Sequence, residues 1–182
     1  ADGCTDPLAS NYSPDAEVND GSCINTPVSS VDFTYAGEFN GNYYYLSNYT
    51  ENWDEAKLIS ENSGGHLVTI QSAEENEFIT SIIPEFGWIG LYQNFEAEDY
   101  SEPSGGWEWI TGEDLVYTNW NPLPPEPNGG DGSDFGAMFG YNNDNTEYIG
   151  TWNDEHQIPI NAEIFYYVLE MESGCMDESA CN

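Results

Sequence analysis

The sequence predicts an α+β fold, with two helices segregated from an antiparallel sheet. Three observations carry this. Two stretches in the first half have helical start and stop signals, at residues 50–60 and 72–84. Short aromatic or β-branched runs recur around and after them, at residues 43–46, 66–70, 88–91, 107–110 and 165–169. The segments between the later runs are long and rich in Gly, Pro, Asn and Asp, which favour turns.

Taken in order, residues 3–23 (GCTDPLASNYSPDAEVNDGSC) hold too few large apolar side chains for a core. A Thr/Pro/Ser linker and a first strand follow, over residues 25–38. Tyr43-Tyr44-Tyr45-Leu46 reads as a short aromatic strand. Thr50 is placed to cap a helix running through Ser60, with Trp53, Ala56, Lys57 and Ile59 spaced for one buried face, and Gly64-Gly65 ends it. The run from His66 to Ile70 reads as a strand. Ser72-Ala73-Glu74-Glu75 is a capping box that opens a second helix, which Pro84 closes. Trp88 to Leu91 is an apolar buried strand. Trp107 to Ile110 and Tyr117 to Trp120 bracket a turn at residues 111–114. After a long loop come Gly150-Thr151-Trp152 and a last strand from Phe165 to Leu169.

The charge is lopsided. Of the 182 residues, 34 are Asp or Glu and 1 is basic, Lys57, besides two histidines. Nucleic acid and anionic membrane surfaces both need basic residues and are excluded as partners. No run of about 20 apolar residues is present to span a bilayer. The acidity by itself reads equally as adaptation to a salty exterior and as a demand for bound cations. The sequence shows no basic-then-apolar signal segment, so Ala1 is expected to be a mature terminus.

The four cysteines, Cys4, Cys23, Cys175 and Cys181, stand only in the end segments and match no zinc-ligand spacing. Three connectivities are open, and local bridges Cys4–Cys23 and Cys175–Cys181 are preferred. A bridge over the first segment would contribute about 3 kcal/mol for a loop of that size. The expected compartment is oxidising: secreted, extracellular or cell surface. Residues 174–182 (GCMDESACN) repeat the opening of residues 3–11, a second copy cut short. Both copies resemble small Cys-bracketed modules found in series in large secreted bacterial surface proteins. Asp6, Asn11, Asp15, Asn19 and Asp20 could cage a Ca²⁺ ion or serve only as Asx-turns.

Oxygen ligands concentrate in residues 126–154, where Glu126, Asn128, Asp134, Asn153 and Asp154 offer carboxylates and amides with almost no nitrogen or sulfur donors. Hard cations such as Ca²⁺ take roughly 6–8 oxygens at about 2.3–2.6 Å, so this stretch is a candidate Ca²⁺ site.

From about Phe39 to Glu170 the chain resembles a C-type lectin-like domain. The pieces that carry the likeness, in order, are W-x-x-A from Trp53, GGHLVTI from Gly64, WIGL from Trp88, W-x-W through YTNW from Trp107, EPN from Glu126 and WND from Trp152. The implied organisation is a Cys-bracketed module over 1–24, the linker and first strand over 25–38, the lectin-like domain over 39–172 and a truncated second module over 173–182. The resemblance implies that first and last strands pair, and that long loops at the opposite end hold Ca²⁺. It implies Glu126, Asn128, Asn153 and Asp154 as ligands, Asp134 as a further acidic ligand, and a cis bond before Pro127. The same residues would take two neighbouring sugar hydroxyls, with carboxylates accepting and amides donating. The EPN order is similar to binders of mannose, glucose, N-acetylglucosamine and fucose. Trp120 and Trp152 would shape the site from behind.

Two departures stand out. Ser60 and Leu169 occupy positions where such domains carry a bridge. Gln93, Asn94 and Phe95 replace expected acids of an accessory ion site, with Glu98, Asp99 and Glu102 inserted nearby. His66 is read as a strand residue and His156 as a solvated loop residue near the site. No Ser–His–Asp or Cys–His arrangement singles out an enzyme. The function expected is an extracellular calcium-dependent carbohydrate-binding module within a surface adhesin or fibre, with glycans and copies of itself as partners. The alternative is a structural subunit of a filament, in which Tyr43 to Tyr45, Tyr166 and Tyr167 form subunit contacts and Ca²⁺ only staples loops. Asn11 and Asn48 lie in sequons, which matter only where Asn is glycosylated.

Overall fold

The computed structural model describes residues 28–129, 132–156 and 165–172, with short pieces at 2–3, 16 and 18–19. Cys4, Cys23, Cys175, Cys181, Asp6, Asn11, Asp15 and Asp20 lie outside the described residues, as does the side chain of Asn19. The expected bridges and the N-terminal ion cage fall there.

Near the N-terminus β1 (Asp2–Gly3) and β2 (Val18–Asn19) pair in parallel. The main body then runs β3 (Phe33–Phe39), β4 (Asn42–Ser47), α1 (Trp53–Asn62), β5 (His66–Leu67), α2 (Ala73–Ile82), β6 (Phe86–Gln93), β7 (Trp107–Trp109), β8 (Phe135–Phe139), β9 (Trp152–Glu155) and β10 (Tyr166–Glu172). Its sheet follows the order β3-β4-β10-β6-β8-β9, with β5 added on β10 and β7 on β6. Early and late strands meet as expected: β4 and β10 are antiparallel, with Tyr45 opposite Leu169 and Tyr44 opposite Glu170. One junction departs from the antiparallel expectation, because β10 runs parallel to β6 through Tyr166–Gly87 and Tyr167–Trp88. The α+β class stands, with a mixed sheet.

Several local expectations are corrected. Asn52, not Thr50, caps α1, its side-chain oxygen accepting from Glu55 N–H at 3.1 Å, and the helix continues past Ser60 to Asn62. Asn is among the strongest N-caps, and its short amide reaches the third amide of the helix from that position. The buried stripe of α1 is Trp53, Ala56 and Ser60, while Lys57 turns outward to Glu61 at 2.6 Å. Ser72 caps α2 as expected, but the reciprocal arm differs: Glu75 accepts from Gln71 N–H at 2.8 Å. Only His66–Leu67 of the expected 66–70 strand is ladder-paired; beyond it Val68 N–H reaches Val168 O at 2.9 Å as a single contact. Residues 117–119 form no strand, and Trp120 makes one isolated bridge to Trp152. β8 is a strand that the sequence reading left inside a loop. Its run FGAMF has two small residues, and only pairing with β6 and β9 makes it extended.

Ser60 and Leu169 are both fully buried where α1 faces β10, so packing replaces the missing bridge, and the Ser60 hydroxyl is satisfied by Ala56 O at 2.8 Å. Tyr44, Tyr45 and Tyr167 are at most 2% exposed, which removes them as subunit contacts and makes them core. Tyr43 and Tyr166 are half-buried.

A cluster of polar groups lies inside this core. The Tyr44 hydroxyl sits 2.9 Å from Glu75 Oε1 and 3.1 Å from Glu170 Oε1. Glu170 also accepts from Thr69 N–H at 3.0 Å and Asn42 Nδ2 at 2.8 Å, with His66 at 3.9 Å. A phenol has one proton to give, so it serves one carboxylate at a time. Burial raises the Glu170 pKa above its usual value, and the Glu75 charge adds to this. Thr69, His66 and Asn42 pull against it. Folded protein therefore keeps a proton on Glu170 in a pH range where the unfolded chain has released it. The stability this provides is present at low pH and is lost as pH rises from the usual carboxylate range through the raised value. Urea titrations at fixed ionic strength should show unfolding free energy falling over that window, and Glu170→Gln, with no proton to lose, should flatten that component. An identical slope in both proteins would contradict the assignment.

Candidate functional site

The site is built at the β8–β9 end of the sheet. Strands β8 and β9 pair with Gly136 opposite Asp154 and Ala137 opposite Asn153. Alternation along β9 then buries Trp152 and Asp154 and leaves Asn153 and Glu155 half-buried on the other face. Behind the site, the Trp152 ring packs edge-on against Trp109, Tyr117 and Trp120 at 5.7, 5.7 and 5.9 Å. Its indole N–H donates to Asn76 Oδ1 of α2 at 2.8 Å, and Asn76 Nδ2 donates to Gly150 O at 2.9 Å.

The facing wall is the loop that follows Trp120. Asn121, 2% exposed, organises it: its N–H reaches Trp152 O, its carbonyl accepts from Glu126 N–H at 2.8 Å, and its Oδ1 accepts from Leu123 N–H at 3.0 Å. The Leu123–Pro124 and Glu126–Pro127 bonds are both cis, the second as the resemblance implies.

This geometry brings Glu126, Asn128 and Asp154 together. Asp154 is 6% exposed, and its two oxygens accept from Asn128 N–H at 3.0 Å and Gly129 N–H at 2.7 Å. Glu126 hydrogen-bonds Asp154. Burial first, then that bond and the Asp154 charge, push its carboxyl up to about 7; the Asn128 N–H opposes the shift and Glu155 adds to it. Asn153 stands at the edge of the group, its Nδ2 donating to Glu155 Oε1 at 2.7 Å. Asp134 lies at the base of β8, its backbone carbonyl accepting from Gln93 N–H at 2.8 Å. Among the described residues no three His, Cys, Asp or Glu side chains gather closely enough to hold a metal ion by themselves. The carboxyl pair is thus Glu126 with Asp154, and amides or backbone carbonyls would have to supply the remaining donors.

The donor chemistry nevertheless fits a hard cation. Two carboxyls face each other in partial burial, and only a proton or a cation offsets that repulsion. The chain has one basic side chain, and Lys57 is engaged with Glu61 on α1. Oxygen donors of this kind suit Ca²⁺ better than softer metals, and the neighbouring amides would have to complete the set.

Sequence reasoning missed three contributors. Gly129 must be glycine, since a Cβ there would collide with Ser133 and the Asp154 carboxylate. Asn121 carries the loop, and Glu155 orients the Asn153 amide. A glycine directly after the EPN tripeptide was the available signal for the first; the other two depend on partners distant in the chain. His156 is exposed and lies against Gly132, beside the loop and outside the carboxyl pair. Farther back, Gln93 and Asn94 are spent on structure, donating to Gly105 O at 2.8 Å and to Glu108 at 3.1 Å.

With this geometry in hand, comparison with known proteins is informative. The family model of the Lectin C-type domain matches residues 49–158. The chain is 34% identical over 118 residues to human C-type lectin domain family 17, member A, spanning 64% of this chain and 27% of that protein. Among solved structures, the cow carbohydrate-recognition domain of CD23, determined in the presence of a GlcNAc2Man3 oligosaccharide, matches with a TM-score of 0.59 at 29% identity, covering 81% of this chain and 98% of that one. A calcium-independent type II antifreeze protein matches with a TM-score of 0.60 at 22% identity, over 80% and 95% of the two chains, a likeness of fold alone.

Asn76→Ala should leave the buried Trp152 indole without its acceptor and cost about 1–3 kcal/mol. Urea unfolding measures the loss, and faster exchange of the Trp152 indole proton localises it.

Proposed function

This chain belongs to the C-type lectin domain family, and from that premise we propose that it is a calcium-dependent lectin module whose ion is held by Glu126, Asn128, Asn153 and Asp154, with Asp134 as a further acidic ligand. Its family is one of carbohydrate-binding modules rather than enzymes. The observation that carries the reading is the partly buried Glu126–Asp154 pair with no basic side chain to neutralise it. When bound, the ion supplies a fixed positive charge with coordination positions open to two neighbouring sugar hydroxyls. The protein's own groups then set orientation. Glu126 accepts a hydrogen bond from a hydroxyl, the Asn128 and Asn153 amides donate, and Glu155 holds the Asn153 amide in place. Glu126-Pro127-Asn128 supports mannose-, glucose- or fucose-type sugars over galactose. Each contact is weak, near millimolar, so tight adhesion comes from many copies, as in an extracellular or cell-surface adhesin or fibre.

A second reading has one observation in its favour. The Asp154 carboxylate is already satisfied by two backbone N–H groups, so the loop is closed without an ion. On that reading the fold is a structural subunit of an extracellular filament and calcium only staples its loops.

Two experiments decide. Calcium should raise the melting temperature of the wild type by several degrees, on the order of 1–3 kcal/mol, and Asp154→Ala should abolish most of that gain; an undiminished gain in the variant places the ion elsewhere. On a glycan array with calcium, mannose- or fucose-type glycans should bind above galactose-type ones, and chelator should erase the signal. Silence across the array with a retained thermal shift selects the structural reading.

A further inference from the structure

Between α2 and the segments around Tyr117 and Gly150 lies a cleft of about 340 Å³ that the reading above does not use. One wall is the α2 stripe that includes Asn76, Glu77 and Thr80; the other is formed by Tyr117, Asn119 and Gly150. Gly150 keeps the floor open. Its φ of +82° disfavours a side chain, and a Cβ would come within 3.1 Å of Thr80 Oγ1 and 3.4 Å of Asn76 Nδ2. The floor is also rigid, because the Gly150 carbonyl accepts from Asn76 Nδ2 at 2.9 Å and Asn119 Nδ2 at 2.7 Å. Each amide nitrogen gives one hydrogen to that carbonyl and has a second. The Tyr117 phenol stays protonated because burial and the nearby Glu77 and Glu74 charges raise its pKa. The lining thus combines an aromatic ring, a carboxylate acceptor, two amides and two hydroxyls in a volume that holds one sugar ring. That mixture of apolar platform and alternating donors and acceptors suits a polyhydroxylated ring better than an anion, which Glu77 repels, or an apolar ligand, which strands the amides.

We propose that this cleft is a second saccharide subsite, taking one pyranose ring through Tyr117, Glu77 and the Asn76 and Asn119 amides without a metal ion. It is independent of the loop site in its ligands and linked to it through one hydrogen bond: Asn76 accepts from the indole of Trp152, which leads directly into Asn153 and Asp154. A glycan with two accessible residues would find two contacts on one molecule.

The test is a ¹H–¹⁵N titration of the isotope-labelled chain with methyl α-mannoside and with N-acetylglucosamine, first in chelator and then in calcium. In chelator, one or both sugars should give saturable shifts of the Gly150 amide, the Asn76 and Asn119 side-chain amides and the Trp152 indole, with a dissociation constant on the order of 1–10 mM. Glu77→Gln, an exposed position that leaves packing intact, should weaken binding about fivefold, and Tyr117→Leu about tenfold or more. No shift at these signals up to about 50 mM of either sugar overturns the proposal, as does equal affinity in both variants. Butylammonium shifting the same signals more strongly than either sugar also overturns it, in favour of a cation pocket. Adding calcium should bring a separate set of shifts at Asn128 and Gly129. Failure of that set alone defeats the loop-site reading, and failure of the cleft set alone defeats this one.

Discussion

The pairing of β4 with β10 is the constraint on which the rest of this structure depends. It joins residues about 125 positions apart, Asn42–Ser47 with Tyr166–Glu172, across the middle of the sheet. β3 attaches to one side of it, and β6, β8 and β9 follow on the other. Everything between the paired strands becomes one large excursion, and that excursion is anchored to β10 through β5 and β6. Such a long-range closure is slow to form and depends on a buried reward. Here the reward is a mix of aromatic and aliphatic burial: Tyr44, Tyr45, Tyr167, Val168 and Leu169 are all buried at the seam.

The seam also contains the least expected group in the core, a carboxylate. Glu170 is satisfied by Thr69, Asn42 and Tyr44, and through Tyr44 it is linked to Glu75 at the start of α2. Near its N-terminus helix α2 is thus tied both to the seam and to β9, where Asn76 grips Trp152 and Gly150. These consecutive residues, Glu75 and Asn76, connect the closure of the sheet to the placement of the site.

At the site, charge and backbone oppose each other. Asp154 is stabilised by two N–H groups from the loop, which makes the loop a compact turn. Glu126 beside it then shares partial burial with a second carboxyl and no lysine or arginine. Elsewhere in proteins a lysine or arginine would settle such a pair; in a chain with Lys57 as its single basic side chain, none is available. The acidity of the chain therefore leaves this pair without a basic partner of its own.

Composition and local pattern by themselves determined the class, both helices and most strands, and pointed to the oxygen-rich residues of the candidate site, because caps, apolar runs and clustered oxygen ligands are short-range signals. The Asn52 cap was mistaken for Thr50 because two good capping residues stand two positions apart, and only the turn geometry chooses between them. Strand β8 was not legible, since Gly136 and Ala137 carry no strand preference and are held extended by neighbours on both sides. The parallel β10–β6 junction, the Glu75–Tyr44–Glu170 group and the cleft beside Gly150 were decided by tertiary structure alone. Each joins residues far apart in the chain, and no local propensity records which distant carboxylate, indole or carbonyl a side chain will meet.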